Sequence, residues 1–342
     1  MLETTWFVLW GLLWAVYFVL DGFDFGMGTL LPFLAKNDEE KRIIYNAAGP
    51  YWDGNEVWLI TAGGVTFAAF PKAYAVMFSA LYAPLLILLF ALIFRAVSFE
   101  FRNKKDCPQW RKFWDACQFL GNFLPALLLG VAFANLFMGI PIDGNGVYHG
   151  NIIKLLNPYG LAGGIFFVLI FCMHGALWLA LKSEGDIHER AVGAAQVVWP
   201  LVLAVALLFL ALTAFYTNLY ANYAEHPTLL IFPILAVASL LTVRVMIWAD
   251  NLLGAWFFSA LFIITVTFFG VLGMYPGIII SSIDPAYSVP VFNGASSQLT
   301  LEIMLRVTLC CIPVVIAYQA WVYYTFAHKV TPESLQKDDH AY

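Results

Sequence analysis

The sequence predicts an all-α polytopic membrane protein with about nine transmembrane helices, and three observations carry that prediction. Hydrophobic residues make up 62% of the chain and charged ones only 11%; soluble domains carry about 25% charged residues, so there is too little polar surface here to cover a globule in water. A hydrocarbon core about 30 Å thick takes roughly 20 apolar residues of helix. Such stretches fall at 5–34, 55–70, 73–98, 114–139, 159–181, 192–217, 228–248, 254–279 and 301–326. If these spans alternate in direction, only Lys72, Lys154 and Arg306 of the 17 Lys and Arg residues lie on one side. The positive-inside rule then puts the amino terminus outside and the carboxyl terminus, with its tail over 328–342, in the cytoplasm.

The first span opens on "MLETTWFVLW", which has no basic region and no small-residue cleavage site, so it is expected to stay as a helix. It carries Asp21 and Asp24. At about 1.5 Å of rise per residue, Asp21 lies about 24 Å from Thr5, in the cytoplasmic half. At i and i+3 the two acids share a face. The second span begins at that same level with "GPYWDGNEVWLITAGG" and supplies Asp53, Asn55 and Glu56; the third returns to it and ends "FRAVSFEFR", supplying Arg95 and Glu100. Acids in a first turn also suit the helix dipole and cap free N–H groups, which is the plain alternative for Asp53 and Glu56. That alternative is weaker for Asp21, because an acid inside a bilayer is costly unless it faces protein, water or a counter-ion. Arg95 is the one cation at matching depth.

The fifth span holds His174, the only histidine within a span. One histidine gives at most one axial bond to a haem, and a buried hydrogen-bonded role competes with that. The sixth and eighth spans carry no formal charge and the seventh only Arg244, so the second half reads as scaffold and lipid-facing bulk. A Pro- and Gly-punctuated outer loop leads to the ninth span, where Glu302 and Arg306 stand at i and i+4, a spacing that suits a helix-face ion pair. The five cysteines show no CxxC spacing, and no disulfide or metal cluster is expected. Nothing suggests nucleic-acid binding.

Six fragments, "LDGFDFGMG", "YWDGNEVWLITAGGVTFAAFP", "FRAVSFEFR", "GVAFANLFMGIP", "LNPYGLAGG" and "ASSQLTLEIM", occur in this order from near the first residue to about 330. Together they resemble subunit II of the cytochrome bd-type quinol oxidases, with the DGFD and WDGN pair the most specific part. The resemblance implies two four-helix bundles plus one extra helix: a first bundle over 1–140 with the polar cluster, a more apolar second over 155–280, and a ninth helix over 300–327. It implies a plasma-membrane respiratory complex that oxidises quinol and reduces dioxygen to water. Haem b558, haem b595 and haem d would be ligated by a haem-bearing subunit I. Quinol, lipid and, in some members, small accessory subunits and a structural quinone are further partners.

Carried onto this sequence, the resemblance makes Asp53 and Asp21 members of a proton path with Arg95, and Asp24, Glu56 and Glu100 lie at its level. It puts Trp58 at the start of an oxygen-access route lined by the stretch holding Phe133 and Asn135. His174 stands where a non-histidine residue is expected, which leaves a haem contact specific to this branch open. The competing class is a proton- or ion-coupled secondary transporter that uses the intramembrane carboxylates. Transporters tend to repeat broken helices in both halves, and the second half here has no counterpart of DGFD. A pure scaffold would tolerate an amide at every intramembrane acid.

Overall fold

A computed structural model describes residues 1–337 and 342; the rest of the expected cytoplasmic tail, 338–341, lies outside the described residues. Eight helices among the described residues are long and apolar enough to cross a membrane. They include α1 (Leu2–Leu34), α5 (Tyr82–Phe101) and α6 (Pro108–Met138) in the first half. The expected span missing from these eight is the second, α3 (Trp52–Ala69), 18 residues long, whose apolar character is diluted by Asp53, Asn55 and Glu56 in its first turns.

Two features of the first half depart from the span pattern. The third span is broken at Leu81 into α4 (Pro71–Ala80) and α5, since Pro84 in the first turn of α5 offers no N–H to continue a helix from before it. Between α1 and α3 lies α2 (Asp38–Ala48), an amphipathic helix started by Asn37, whose side chain accepts from Glu40 N–H. Its acidic first turn, Asp38, Glu39 and Glu40, favours the dipole.

The second half runs through the single turn α7 (Ile152–Leu155), then α8 (Pro158–Lys182), α9 (Gly185–Tyr216), α10 (Leu219–Glu225), α11 (Ile231–Trp248) and α12 (Leu252–Met274). The eighth span therefore stops five residues short of the expected 279, because the chain turns into a short antiparallel hairpin of β1 (Gly277–Ile279) and β2 (Val289–Pro290). After α13 (Val291–Gly294), α14 (Gln298–Thr325) lies along the outside of the molecule and α15 (Pro332–Lys337) follows.

Helix α1 is the axis of the fold, packed against α8, α6, α3 and α12. Its crossing with α8 is backbone on backbone. A Cβ on Gly26 would collide with the Phe171 carbonyl, and one on Gly175 would lie 2.6 Å from the Phe23 carbonyl oxygen. Small residues of this kind let membrane helices pack by close van der Waals approach where no hydrophobic gain is available. From Asp21 to Leu31 every residue of α1 is buried, Asp24 included.

Candidate functional site

Three helices bring ionisable side chains to one buried level. Arg95 near the end of α5 grips Asp21 of α1 with two hydrogen bonds, Nη1 to Oδ1 at 2.7 Å and Nη2 to Oδ2 at 3.1 Å. Its Nη2 also meets Glu56 Oε1 of α3 at 3.0 Å. Neither Asp21 nor Arg95 has any exposed side-chain surface, while Glu56 keeps 20%. The guanidinium lies 4.8 Å from the centre of the Phe25 ring, on whose face a desolvated cation is attracted. Gly121 of α6 is what lets α5 come so close: a Cβ there would stand 2.8 Å from Arg95 Cβ and from the Ala91 carbonyl.

This geometry has a simple charge balance. Two carboxylates share one guanidinium, so the cluster carries a net negative charge until it takes up one proton. A buried pair repays its desolvation only when its hydrogen bonds are complete; here Arg95 Nε and the nearby Tyr17 hydroxyl remain buried without a partner.

Asp24 belongs to a separate branch. Its Oδ2 accepts from Asn55 Nδ2 at 2.8 Å, and Asn55 Oδ1 accepts from Tyr323 of α14 at 3.3 Å. Its other oxygen, Oδ1, is buried and unpartnered. Asp53 and Glu100 do not join the buried cluster. Both are exposed, Asp53 one turn before Glu56 on α3 and Glu100 five residues beyond Arg95, where each helix leaves the packed interior. Along α3 and inward, burial rises from Asp53 through Glu56 to Asp21 and Arg95.

The remaining expected residues fall elsewhere. Trp58 is buried against α14, its Nε1 donating to Gln319 Oε1 at 3.1 Å. Asn135 is a clamp, with Nδ2 donating to the Val131 and Leu155 carbonyls at 2.8 Å and Oδ1 accepting from Asn157 at 2.8 Å. Phe133 stands between two apolar spaces. One is a cavity of about 120 Å³ among α6, α8, α9, α11 and α12; the other is a groove of about 720 Å³ beside α3, α4 and α5. Trp58 and Asn135 line neither. Glu302 and Arg306 form their ion pair at 2.5 Å on the surface of α14.

His174 is fully buried and stacked on Trp256. Its Nε2 lies 3.1 Å from the Val19 carbonyl, to which it can only donate, and its Nδ1 lies 2.6 Å from Ser259 Oγ, from which it then accepts. With both nitrogens engaged, His174 does not fit axial ligation of a haem.

Sequence reasoning passed over a second charged network nearer the basic end. Arg102 is 1% exposed and donates to Asp115 Oδ1 at 2.7 Å and to Asp38 Oδ1 at 2.6 Å; Lys41 closes on Asp115 Oδ2 at 2.8 Å. These contacts tie α2 to α5 and α6. Burial pushes the Asp38 carboxyl upward, but the hydrogen bond and charge of Arg102 outweigh it and hold the group below the usual carboxylate range. The visible signal was an acid, Asp115, just inside an otherwise apolar span.

An all-α membrane protein with a buried acid–arginine cluster, flanked by exposed acids on α3 and α5, is the class that this fold and site define. The chain belongs to the cytochrome bd terminal oxidase subunit II family, whose model matches residues 2–326. It is 36% identical to the cytochrome bd ubiquinol oxidase subunit 2 of Bacillus subtilis (strain 168), over 96% of this chain and 97% of that protein. It is 34% identical to the cytochrome bd-I ubiquinol oxidase subunit 2 of Escherichia coli (strain K12), over 99% and 98%. The bd oxidase structure from Geobacillus thermodenitrificans has the same fold, with a TM-score of 0.80 at 15% identity over 95% of this chain and 98% of that one. The chain is thus one subunit of a haem-containing oxidoreductase complex of the bacterial inner membrane, with a subunit I as partner. The transporter alternative is not favoured.

Proposed function

We propose that this subunit scaffolds a haem-bearing subunit I and passes protons to it from the cytoplasm, in a complex that oxidises quinol and reduces dioxygen to water. The amino terminus lies outside and the carboxyl terminus inside. Haem b558, haem b595 and haem d are held by the partner, and quinol, lipid, small accessory subunits and a structural quinone complete the assembly. The bundle over 1–140 carries the chemistry and that over 155–280 the support.

The observation that carries this reading is the burial gradient from Asp53 to Glu56 to the Asp21–Arg95 pair. Asp53 collects a proton at the surface, and Glu56, one helical turn on, still touches water. Through Arg95 it shares charge with Asp21, so an arriving proton neutralises one negative charge of the cluster and a departing one restores it. Asp24 and Asn55 extend the polar path towards Tyr323. Glu100 adds negative charge at the exposed end, Phe133 adjoins two apolar spaces suited to dioxygen, and Trp58 closes the seam between α3 and α14.

The test is turnover of the purified complex at intact haem content. Glu56→Gln should slow dioxygen reduction by roughly a hundredfold, the low end of what a positioned proton-transfer group contributes. Asp53→Asn should slow it less, and most at alkaline pH. Unchanged turnover in both variants rejects the proton path and leaves a scaffold.

A further inference from the structure

Tyr342 is docked against the exposed end of this path. One side chain holds its backbone at two points: Tyr342 N–H donates to Asn46 Oδ1 at 3.0 Å, and the Tyr342 carbonyl accepts from Asn46 Nδ2 at 2.9 Å. Arg42 Nε donates to the same carbonyl at 3.0 Å. The ring stands edge-on to Phe99 at 5.3 Å, and Phe99 in turn lies flat on Trp52 at 5.1 Å and 6°. A Cβ on Gly49 would come within 2.6 Å of the Tyr342 ring. Gly49 itself is right-handed helical, at φ −44 and ψ −49, a conformation any residue adopts, so the missing side chain makes room for the ring. Burial pushes the Tyr342 phenol above its usual range, and the charges of Glu100 and Asp53 add to that.

The sequence neighbours of these contacts give them a meaning. Trp52 precedes Asp53, and Phe99 precedes Glu100. The ring and the two aromatics it organises therefore join the first turn of α3 to the last turn of α5, the two places where the path's exposed acids are mounted. Among the described residues, Arg42 from α2, Asp53 from α3 and Glu100 from α5 are charged groups that act on it.

We propose that Tyr342 is a positioning residue for proton entry, a clasp that keeps Asp53 and Glu100 fixed over the approach to Glu56. This rests on the reading of Asp53 as the proton collector. A tie with no bearing on that collector would stabilise the fold and leave the pH profile alone.

The experiment uses the whole complex with Tyr342→Ala, Gly49→Ala and Tyr342→Phe, reading amide hydrogen exchange over residues 46–56 and turnover from acid to alkaline pH. Gly49→Ala displaces the ring without touching it chemically. Both alanine variants should raise exchange and lower turnover at alkaline pH by roughly two- to tenfold, the range an aromatic edge contact is worth in an equilibrium. At acid pH they should match the parent, and Tyr342→Phe should match it throughout. Raised exchange with a parallel pH profile overturns the proposal, as does unchanged exchange, or a Phe variant as slow as the Ala variant. If Asp53→Asn leaves the pH profile unaltered, the proton reading itself fails. If Asp53→Asn alters it and Tyr342→Ala does not, only the clasp fails.

Discussion

Arg95 and Arg306 both sit in membrane-length helices and both pair with acids, yet they live in opposite surroundings. Arg95 has no exposed side-chain surface and ties three helices together through Asp21 and Glu56. Arg306 is 75% exposed and reaches Glu302 one turn away on its own helix. The first pair exists only when α1, α3 and α5 are assembled; the second would form in an isolated helix. Ion pairs of the second kind are worth a few tenths of a kcal/mol, whereas removing one partner of the first leaves a charge stranded away from water.

The sharpest way to break this contrast is Arg95→Met. Asp21 and Glu56 would face each other without a counter-ion, and thermal unfolding of the complex should show a loss of roughly 3–5 kcal/mol. Adding Asp21→Leu should recover much of that stability, since an apolar pair of similar volume replaces a buried ion pair at little cost, while turnover stays low. If the single variant melts like the parent, the cluster is not desolvated in the assembled complex.

Acid should act next, on the network that anchors α2. The folded-state value of Asp38 lies below its unfolded one, so its stabilising contribution is complete above the unfolded carboxylate value, about 3.9, and disappears as pH falls through the folded value. Exchange protection of α2 should therefore drop at acid pH in the parent. In Asp38→Asn it should already be reduced at neutral pH and respond less to acid. Equal acid responses would remove Arg102 as the anchor.

The smallest effect belongs to Glu302→Gln, which should shift stability by less than about 0.5 kcal/mol, as exposed pairs do. A larger shift would mean that the pair is covered in the complex and belongs with Arg95 after all.

The helices themselves and the level of the cluster were legible in the sequence, because unbroken apolar runs and the rise per residue fix where a charge sits along a span. What could not be read was rotation about the helix axis. Asp21 and Asp24 stand three residues apart, about 60° off in angle, and that offset turns one to α5 and the other to Asn55 and Tyr323 of α14. Asp53 reads as central by its motif but is mounted where α3 leaves the bundle. His174 finds its hydrogen-bond partners, Val19 and Ser259, on two other helices, where they have no local signature. The break at Leu81 had a visible cause in Pro84, though hydropathy alone runs straight through it. Tyr342 and Asn46 are 296 positions apart, beyond the reach of any periodicity.

The glycine contact between α1 and α8 also governs how this molecule can move. With two main chains in touch, neither helix can slide along the other by even one residue, because Phe25 or Met27 would be driven into the neighbouring peptide. Shear, a common mode for packed helices, is barred at this crossing, and α1 and α8 hold together as one rigid pair. The acid level on α1 is thus held at a fixed depth relative to α8.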